Sequence, residues 1–284
     1  MSVKNTVETK LVATSKRIRC WKLSEGQFSQ TEAGVVIEKE MPIYINGKHL
    51  VTASIAPALE REFVVGYLFG QGFIDSIEEL ASLEIENNTA KVILKNSRKA
   101  SPGTTAANYR IVSGGGRSAY SDETRFSEIK GDMKIGKKEI FRAMNALFEN
   151  AGLYGETEGV HAAGLFTNKT SPICIVEDIG RHNTLDKITG YALLNKVDCG
   201  HTFLVSTGRM ASEMVVKICR IGIPVVATKT AVTDKGLEIG KKCGLTIIGF
   251  VRDTGTKINT DMEVRVIKKA GMKIYTGAER IICE

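Results

Sequence analysis

From His201 onward the chain alternates short apolar runs with amphipathic ones, and this rhythm restricts the fold more than any other feature of the sequence. HTFLVSTG reads as a strand, and RMASEMVVKICRIG as a helix with Met210, Met214, Val215, Ile218 and Cys219 on its inner face. IPVVATKT is again a strand, DKGLEIGKKCG a short helix and LTIIGFVRD a third strand. Strands that alternate with helices imply right-handed crossovers and a sheet with parallel strands, so the expected class is α/β.

Each of these strands ends in polar residues. Val205 leads into Ser206, Thr207, Gly208 and Arg209 at an expected helix start, where free amides and the helix dipole favour an anion. Val226 leads into Thr228, Lys229 and Thr230, and Phe250 into Val251, Arg252, Asp253, Thr254 and Gly255. Three such ends on one parallel sheet converge on one edge, where α/β folds bind ligands. A phosphorylated, nucleotide-like ligand follows.

Upstream, ICIVEDIGRHNTLDKITGYALL combines the same elements. Ile173, Ile175 and Val176 read as a buried strand. Glu177, Asp178, Gly180, Arg181 and His182 crowd a turn, and a helix follows with Asn183 or Thr184 as its N-cap. In this reading Arg181 and His182 face a ligand and Asp178 orients them; the alternative is a solvated turn with capping charges. His161, in GVHAAGLF, is either a ligand-binding side chain or a hydrogen-bonded strand histidine. A zinc deaminase site needs His-x-Glu and Cys-x-x-Cys. Ala163 stands in the glutamate position and no Cys-x-x-Cys exists, so no metal site is expected.

The first half is built differently. RIRCWKL and GVVIEKEMPIYING have strand-like alternation; Leu59, Phe63, Val64, Tyr67 and Leu68 share a helix face that ends at Gly70 or Gly72. LEIENNTAKVILKN reads as a hairpin turning at Asn87 and Asn88. Residues 97–130 lose all apolar periodicity, and the run SGGGRS is either a backbone cradle for phosphate or a linker. Ile140, Phe141, Met144, Leu147 and Phe148 mark another helix, and the last residues resemble a terminal hairpin or tail. The expected division is an α+β domain over 1–130 and an α/β domain over 131–284.

Composition bounds the partners. Net charge is +7 and the aromatic fraction 6%, with no basic run interleaved with aromatics, so an anionic cofactor is favoured over nucleic acid. No apolar stretch is long enough to span a membrane and the N-terminus lacks a signal-peptide core, so the expected location is the cytoplasm. Six scattered cysteines form neither a disulfide framework nor a short-range metal motif.

Taken together, GVHAAGLF, EDIGRHNTLDKITG, STGRMASEMVVK, GIPVVATKTAVT and CGLTIIGFVR, with PALEREFVVGYLFGQGFI upstream, resemble the formate dehydrogenase accessory (FdhD-type) family. The resemblance implies a cytidine-deaminase-like mixed sheet with flanking helices, without the zinc site, preceded by the smaller α+β domain. It also implies a homodimer that takes sulfur from a cysteine desulfurase and hands it to the molybdenum cofactor, bis-molybdopterin guanine dinucleotide, for formate dehydrogenase. GDP-like ligands then mimic the cofactor, and Phe250 to Gly255 match the family's cofactor-binding stretch, although its usual residues differ towards the end.

The family's sulfur-carrying loop has a Cys-Gly-x-Cys core, and an ungapped match puts Gly115 and Ser118 in its cysteine slots. Neither can hold a persulfide, which requires a thiolate. The sulfurtransferase role is thereby opened to an alternative, a cofactor-binding chaperone that moves no sulfur. No catalytic residue is assigned.

Overall fold

The computed structural model describes residues 13–96, 110–111, 117–118, 128–129, 131, 133–168, 171–253, 257–260, 263–266 and 269–283. The first described element is a ribbon of two antiparallel strands, β1 (Ser15–Ser24) and β2 (Gln27–Val36). A four-stranded sheet follows, built from β3 (Lys39–Ile45), β4 (Lys48–Ile55), β5 (Leu80–Glu86) and β6 (Thr89–Leu94) in the order β4-β3-β6-β5. The β5–β6 hairpin turns at Asn87 and Asn88, as their sequence suggests. Both take positive φ, 46° and 66°, which asparagine tolerates better than most residues. Helix α1 (Glu60–Gly70) covers one face of this sheet through Phe63, Val64, Val65, Leu68 and Phe69.

Two short strands, β7 (Arg110–Ile111) and β8 (Arg117–Ser118), pair with each other, and the strand β9 (Ile135–Gly136) leads into α2 (Lys137–Asn150). Most of the irregular stretch expected over 97–130 lies outside the described residues, Gly115 included. A further helix, α3 (Gly152–Thr157), was not evident from periodicity; Glu177 holds its start by accepting from the amides of Leu153 (3.2 Å) and Tyr154 (2.6 Å).

The second sheet has six strands in the order β11-β10-β12-β13-β14-β17. They are β10 (His161–Phe166), β11 (Pro172–Asp178), β12 (Phe203–Ser206), β13 (Val225–Thr228), β14 (Thr246–Arg252) and β17 (Gly271–Thr276). The turn expected between β10 and β11 includes Lys169, outside the described residues. Helices α4 (Arg181–Leu194), α5 (Ser212–Ile221) and α6 (Asp234–Cys243) complete the layers. Strands β12, β13 and β14 run parallel, as the alternation predicts, and the outer strands make the sheet mixed. The fold is α/β. The C-terminal residues do contain a hairpin, β15 (Lys257–Thr260) with β16 (Glu263–Val266), but β17 then joins the main sheet, and β18 (Ile281–Ile282) pairs with β9. No helix of the described residues is long and apolar enough to cross a membrane.

Helices α1 and α4 bring the two sheets together at unusually short range. A Cβ on Gly66 would lie 1.8 Å from the carbonyl oxygen of Asp186, and one on Gly190 would lie 1.8 Å from that of Glu62. Only glycine permits that backbone-to-backbone contact.

Candidate functional site

Strand direction brings the expected site to one edge of the six-stranded sheet. Strands β11, β12, β13 and β14 all end there, while the antiparallel β10 begins there at His161 and β17 at Gly271. His161 pairs with Asp178 and Arg252 with Gly271. The span from β10 to β14 is three strand spacings, about 14 Å.

Within this edge the residues take different roles. Asp178 is fully buried and does not orient Arg181 or His182, contrary to the sequence expectation. Its Oδ2 meets the Lys187 ammonium at 2.7 Å and accepts from Ala56 N–H at 3.2 Å, while Oδ1 accepts from Gly180 N–H (3.1 Å) and Asn183 Nδ2 (2.7 Å). Lys187 also donates to the carbonyls of Ala56 and Glu177, both at 3.1 Å. A buried carboxylate needs this degree of satisfaction. The pair ties the segment before α1 to the start of α4, so Asp178 is a structural residue. Because Gly180 serves as the N-cap, α4 starts at Arg181, earlier than Asn183 or Thr184 would have set it.

The expected helix start at Ser206 to Arg209 is also different. Met210 is drawn into a bridge with Val232 and is completely buried, so α5 begins only at Ser212, and Met210 lies before the helix rather than on it. Ser206 and Thr207 are buried in the turn. Ser206 Oγ accepts from Gly208 N–H at 3.0 Å, and Thr207 Oγ1 accepts from Ala162 N–H at 3.0 Å. Thr228 Oγ1 donates to the Gly208 carbonyl at 2.7 Å. These hydroxyls build the edge and leave the Gly208 amide already engaged. A Cβ on Gly208 would come within 3.0 Å of Arg181 Cβ, so this glycine lets α4 approach the turn. Val251 is likewise buried, in the core beneath the edge.

What remains on the edge is predominantly cationic. Arg181 and exposed Arg209 are close enough that Arg209, after burial, holds the Arg181 guanidinium below its usual pKa, with Glu213 opposing. Burial and then Arg181 lower His161, whose Nδ1 lies 3.4 Å from Thr207 Oγ1. His182 falls furthest, to about 3, through burial first and then the charges of Lys217 and Arg181. Its Nε2 stands 3.9 Å from Glu213 Oε2. Both histidines are neutral at pH 7.

A second group gathers on β13, β14 and β17. Phe250 has φ 54°, a left-handed conformation that costs a bulky residue about 1–3 kcal/mol. It sits where the β14–β17 register shifts, with its amide donating to Thr230 O at 3.0 Å. Over its ring lie Lys273 Nζ, 4.8 Å from the centroid, and Arg252 Cζ at 5.7 Å. Lys229 Nζ stands 4.7 Å from the Phe148 centroid; burial first and Arg252 next lower its pKa, with Glu158 opposing. Asp253 accepts from Asn145 Nδ2 at 2.8 Å. Thr254 and Gly255 lie outside the described residues. Lys273 and Phe148 belong to this group but had no sequence signal, since they come from the unplaced C-terminal strand and from a helix read only as amphipathic.

The described thiols are poorly placed for sulfur chemistry. Burial pushes Cys174 and Cys199 up to about 12. Cys219 and Cys243 are buried in the core together, and Cys219 is raised by its hydrogen bond with Cys243. Cys283 is exposed, just after β18, which pairs with the strand leading into the start of α2, and Cys20 is half-buried in the ribbon. Ser118 lies in β8, with only its backbone described.

Comparison with known proteins converges on one family. The chain is 30% identical over 251 residues to the sulfur carrier protein FdhD of Sulfolobus acidocaldarius, covering 87% of this chain and 97% of the relative. It is 31% identical over 242 residues to that of Bacillus pumilus, covering 83% and 92%. A solved structure described as a formate dehydrogenase accessory protein from Desulfotalea psychrophila superposes with TM-score 0.74 and 24% identity over 95% of this chain and all of that one, a likeness of fold. The FdhD/NarQ family model matches residues 36–282, which take in both sheets and the cationic edge between His161 and Lys273, and the chain therefore belongs to the FdhD/NarQ family.

Proposed function

We propose that this protein is an accessory factor for formate dehydrogenase maturation that holds the guanine-dinucleotide form of the molybdenum cofactor on the cationic sheet edge. One observation carries the reading: Arg181, Arg209, Lys229, Arg252 and Lys273 collect along one edge. Partial burial weakens the competition from water for Arg181 and Lys229, so phosphate groups gain more from them than from freely solvated charges. The ring of Phe250, held in a strained conformation with Lys273 and Arg252 near its centroid, supplies a flat aromatic surface for a base or pterin beside the cations that would hold its phosphates. His161, Arg181, His182, Arg209, Phe250, Arg252 and Asp253 are the side chains assigned to the cofactor, with Lys229 and Lys273 added. The protein works as a homodimer in the cytoplasm.

The burial of Cys174, Cys199, Cys219 and Cys243 favours a chaperone, which delivers or protects the cofactor without moving sulfur. Relatives named as sulfur carriers support the second reading, in which a cysteine desulfurase loads a persulfide on this chain. Titration with GDP by calorimetry tests the shared part: saturable binding is expected, and none at millimolar GDP overturns both. Mass spectrometry after incubation with a desulfurase separates them. No persulfide is expected, and a stoichiometric one on any cysteine establishes the carrier instead.

A further inference from the structure

Helices α4 and α5 both start at the cationic edge, and two pairs of side chains join them along one seam. His182 and Asp186 stand four residues apart on α4, as Glu213 and Lys217 do on α5, so each pair shares one helix face. One turn into the helices the seam is closed. Lys217 Nζ donates to both carboxylate oxygens of Asp186 at 2.6 Å, and both side chains are buried. At the edge the seam is open. His182 Nε2 lies 3.9 Å from Glu213 Oε2, about 1 Å beyond a hydrogen bond. Both atoms are buried, and neither has a hydrogen-bond partner among the described residues. Leaving two buried polar atoms unsatisfied side by side is costly, and closing the gap would satisfy both at once.

Charge opposes that closure. Arg181 precedes His182 at the start of α4, and Arg209 lies in the turn that leads into α5, four residues before Glu213. The stem of Arg181 packs on that turn: a Cβ on Gly208 would stand 3.0 Å from Arg181 Cβ and 3.6 Å from its Cδ. Burial and then Arg209 lower the Arg181 pKa, with Glu213 opposing, so the two guanidinium groups repel each other at the helix starts. Lys217 and His161 add to the charge around His182. A phosphate that accepts from both arginines replaces their repulsion with a shared counter-charge.

We infer that His182 and Glu213 form a latch that phosphate closes: an anion held between Arg181 and Arg209 draws the first turns of α4 and α5 together until His182 Nε2–H donates to Glu213 Oε2, with the Asp186–Lys217 pair as the fixed pivot. The inference rests on the reading above, that this edge binds phosphate groups, and it makes Glu213 a positioning residue for the two arginines. The latch uses the neutral imidazole with its proton on Nε2, so closing it takes up no proton. Once made, the hydrogen bond holds Arg181 and Arg209 in the directions that the phosphate requires.

Removing Glu213 separates the latch from simple electrostatics. Glu213→Ala takes a negative charge from a cationic edge and by charge alone would tighten GDP, whereas loss of the latch weakens it. In calorimetry at neutral pH, Glu213→Ala and His182→Ala should each weaken GDP by about threefold or more, and the double variant no further than the worse single, because both remove one contact. In the parent protein, saturating GDP should bring out a downfield Nε2–H proton resonance of His182, assigned by its loss in His182→Ala. A crystal structure with GDP should show the gap closed to about 2.7–3.2 Å. GDP binding that leaves the His182 ring resonances and the 3.9 Å gap unchanged overturns the latch alone, as does a folded Glu213→Ala variant that binds GDP as tightly as the parent or tighter. No binding at millimolar GDP overturns the reading of the edge and the latch with it. The parent's spectrum and structure decide the matter even where a variant fails to fold.

Discussion

The Lys187 ammonium and the Asp178 carboxylate meet at 2.7 Å with neither side chain exposed to solvent. Burial draws the lysine pKa down and the carboxylate beside it pulls it back, so the ion pair depends on both partners being present. Lys187→Met leaves a buried carboxylate with no counter-charge and should cost about 3–5 kcal/mol in urea denaturation. Lys187→Met combined with Asp178→Leu should recover much of that loss. A single variant within 0.5 kcal/mol or so of the parent would contradict the account.

The contact of α1 with α4 leaves no room for a methyl group. Gly66→Ala or Gly190→Ala would force the helix backbones apart and should destabilise the protein by about 3 kcal/mol, at the upper end for overpacked cores. Gly152→Ala provides the control, because a Cβ there meets nothing within 4 Å. Thermal melts of the three variants check the difference.

Acid should weaken the fold through its two partly buried histidines. His182 drops from 6.5 to about 3 in the folded chain, and His161 is lowered as well. Between those values the unfolded chain binds protons that the folded chain refuses. Stability is therefore full above pH 6.5, declines as pH falls below it, and levels off for His182 near pH 3. His182→Gln should flatten the pH 4–6.5 part of the stability profile.

Reaction with a thiol reagent at pH 8 should be fast at exposed Cys283 and slow at Cys174, Cys199, Cys219 and Cys243 until the protein is unfolded. Rapid labelling of Cys174 or Cys199 in native buffer would show that those thiols open to solvent.

Arg181→Ala, Arg252→Ala and Lys273→Ala should each weaken GDP binding about tenfold, equivalent to about 1.4 kcal/mol, with the thermal melt nearly unchanged. Calorimetry and a melt on the same preparations decide this. A large loss of stability with unaltered affinity would make the cationic edge a folding feature.

The sequence conveyed the fold where a period was long and unbroken. The alternation of β12, α5, β13, α6 and β14 was legible because apolar runs and helical spacing agreed, and the Asn87–Asn88 turn because few residues adopt φ above zero. Edge convergence of Ser206, Thr228 and Arg252 followed from strand direction, whereas His161 reaches the edge through the antiparallel pairing of β10 with β11. What escaped was set by contacts between distant residues. Asp178 resembles a ligand-orienting carboxylate in sequence, and only the approach of Lys187 and Ala56 makes it structural. Met210 fits a helical pattern, yet its bridge to Val232 delays α5 by several residues. Lys273 joined the site because β17 adds to the sheet, a pairing no local pattern announces.

That last pairing has a consequence for synthesis. Strand β17 supplies Lys273 above the Phe250 ring, and its end and the segment after it fasten down: Thr276 Oγ1 donates to Leu245 O at 2.6 Å, Arg280 donates to Gly244 O at 2.9 Å, and β18 pairs with β9. A nascent chain emerging from the ribosome at about 5–20 residues per second can therefore assemble the four-stranded sheet long before its cationic edge is complete. A product terminated before β17 would hold every strand of the four-stranded sheet and still lack Lys273, part of the cationic edge.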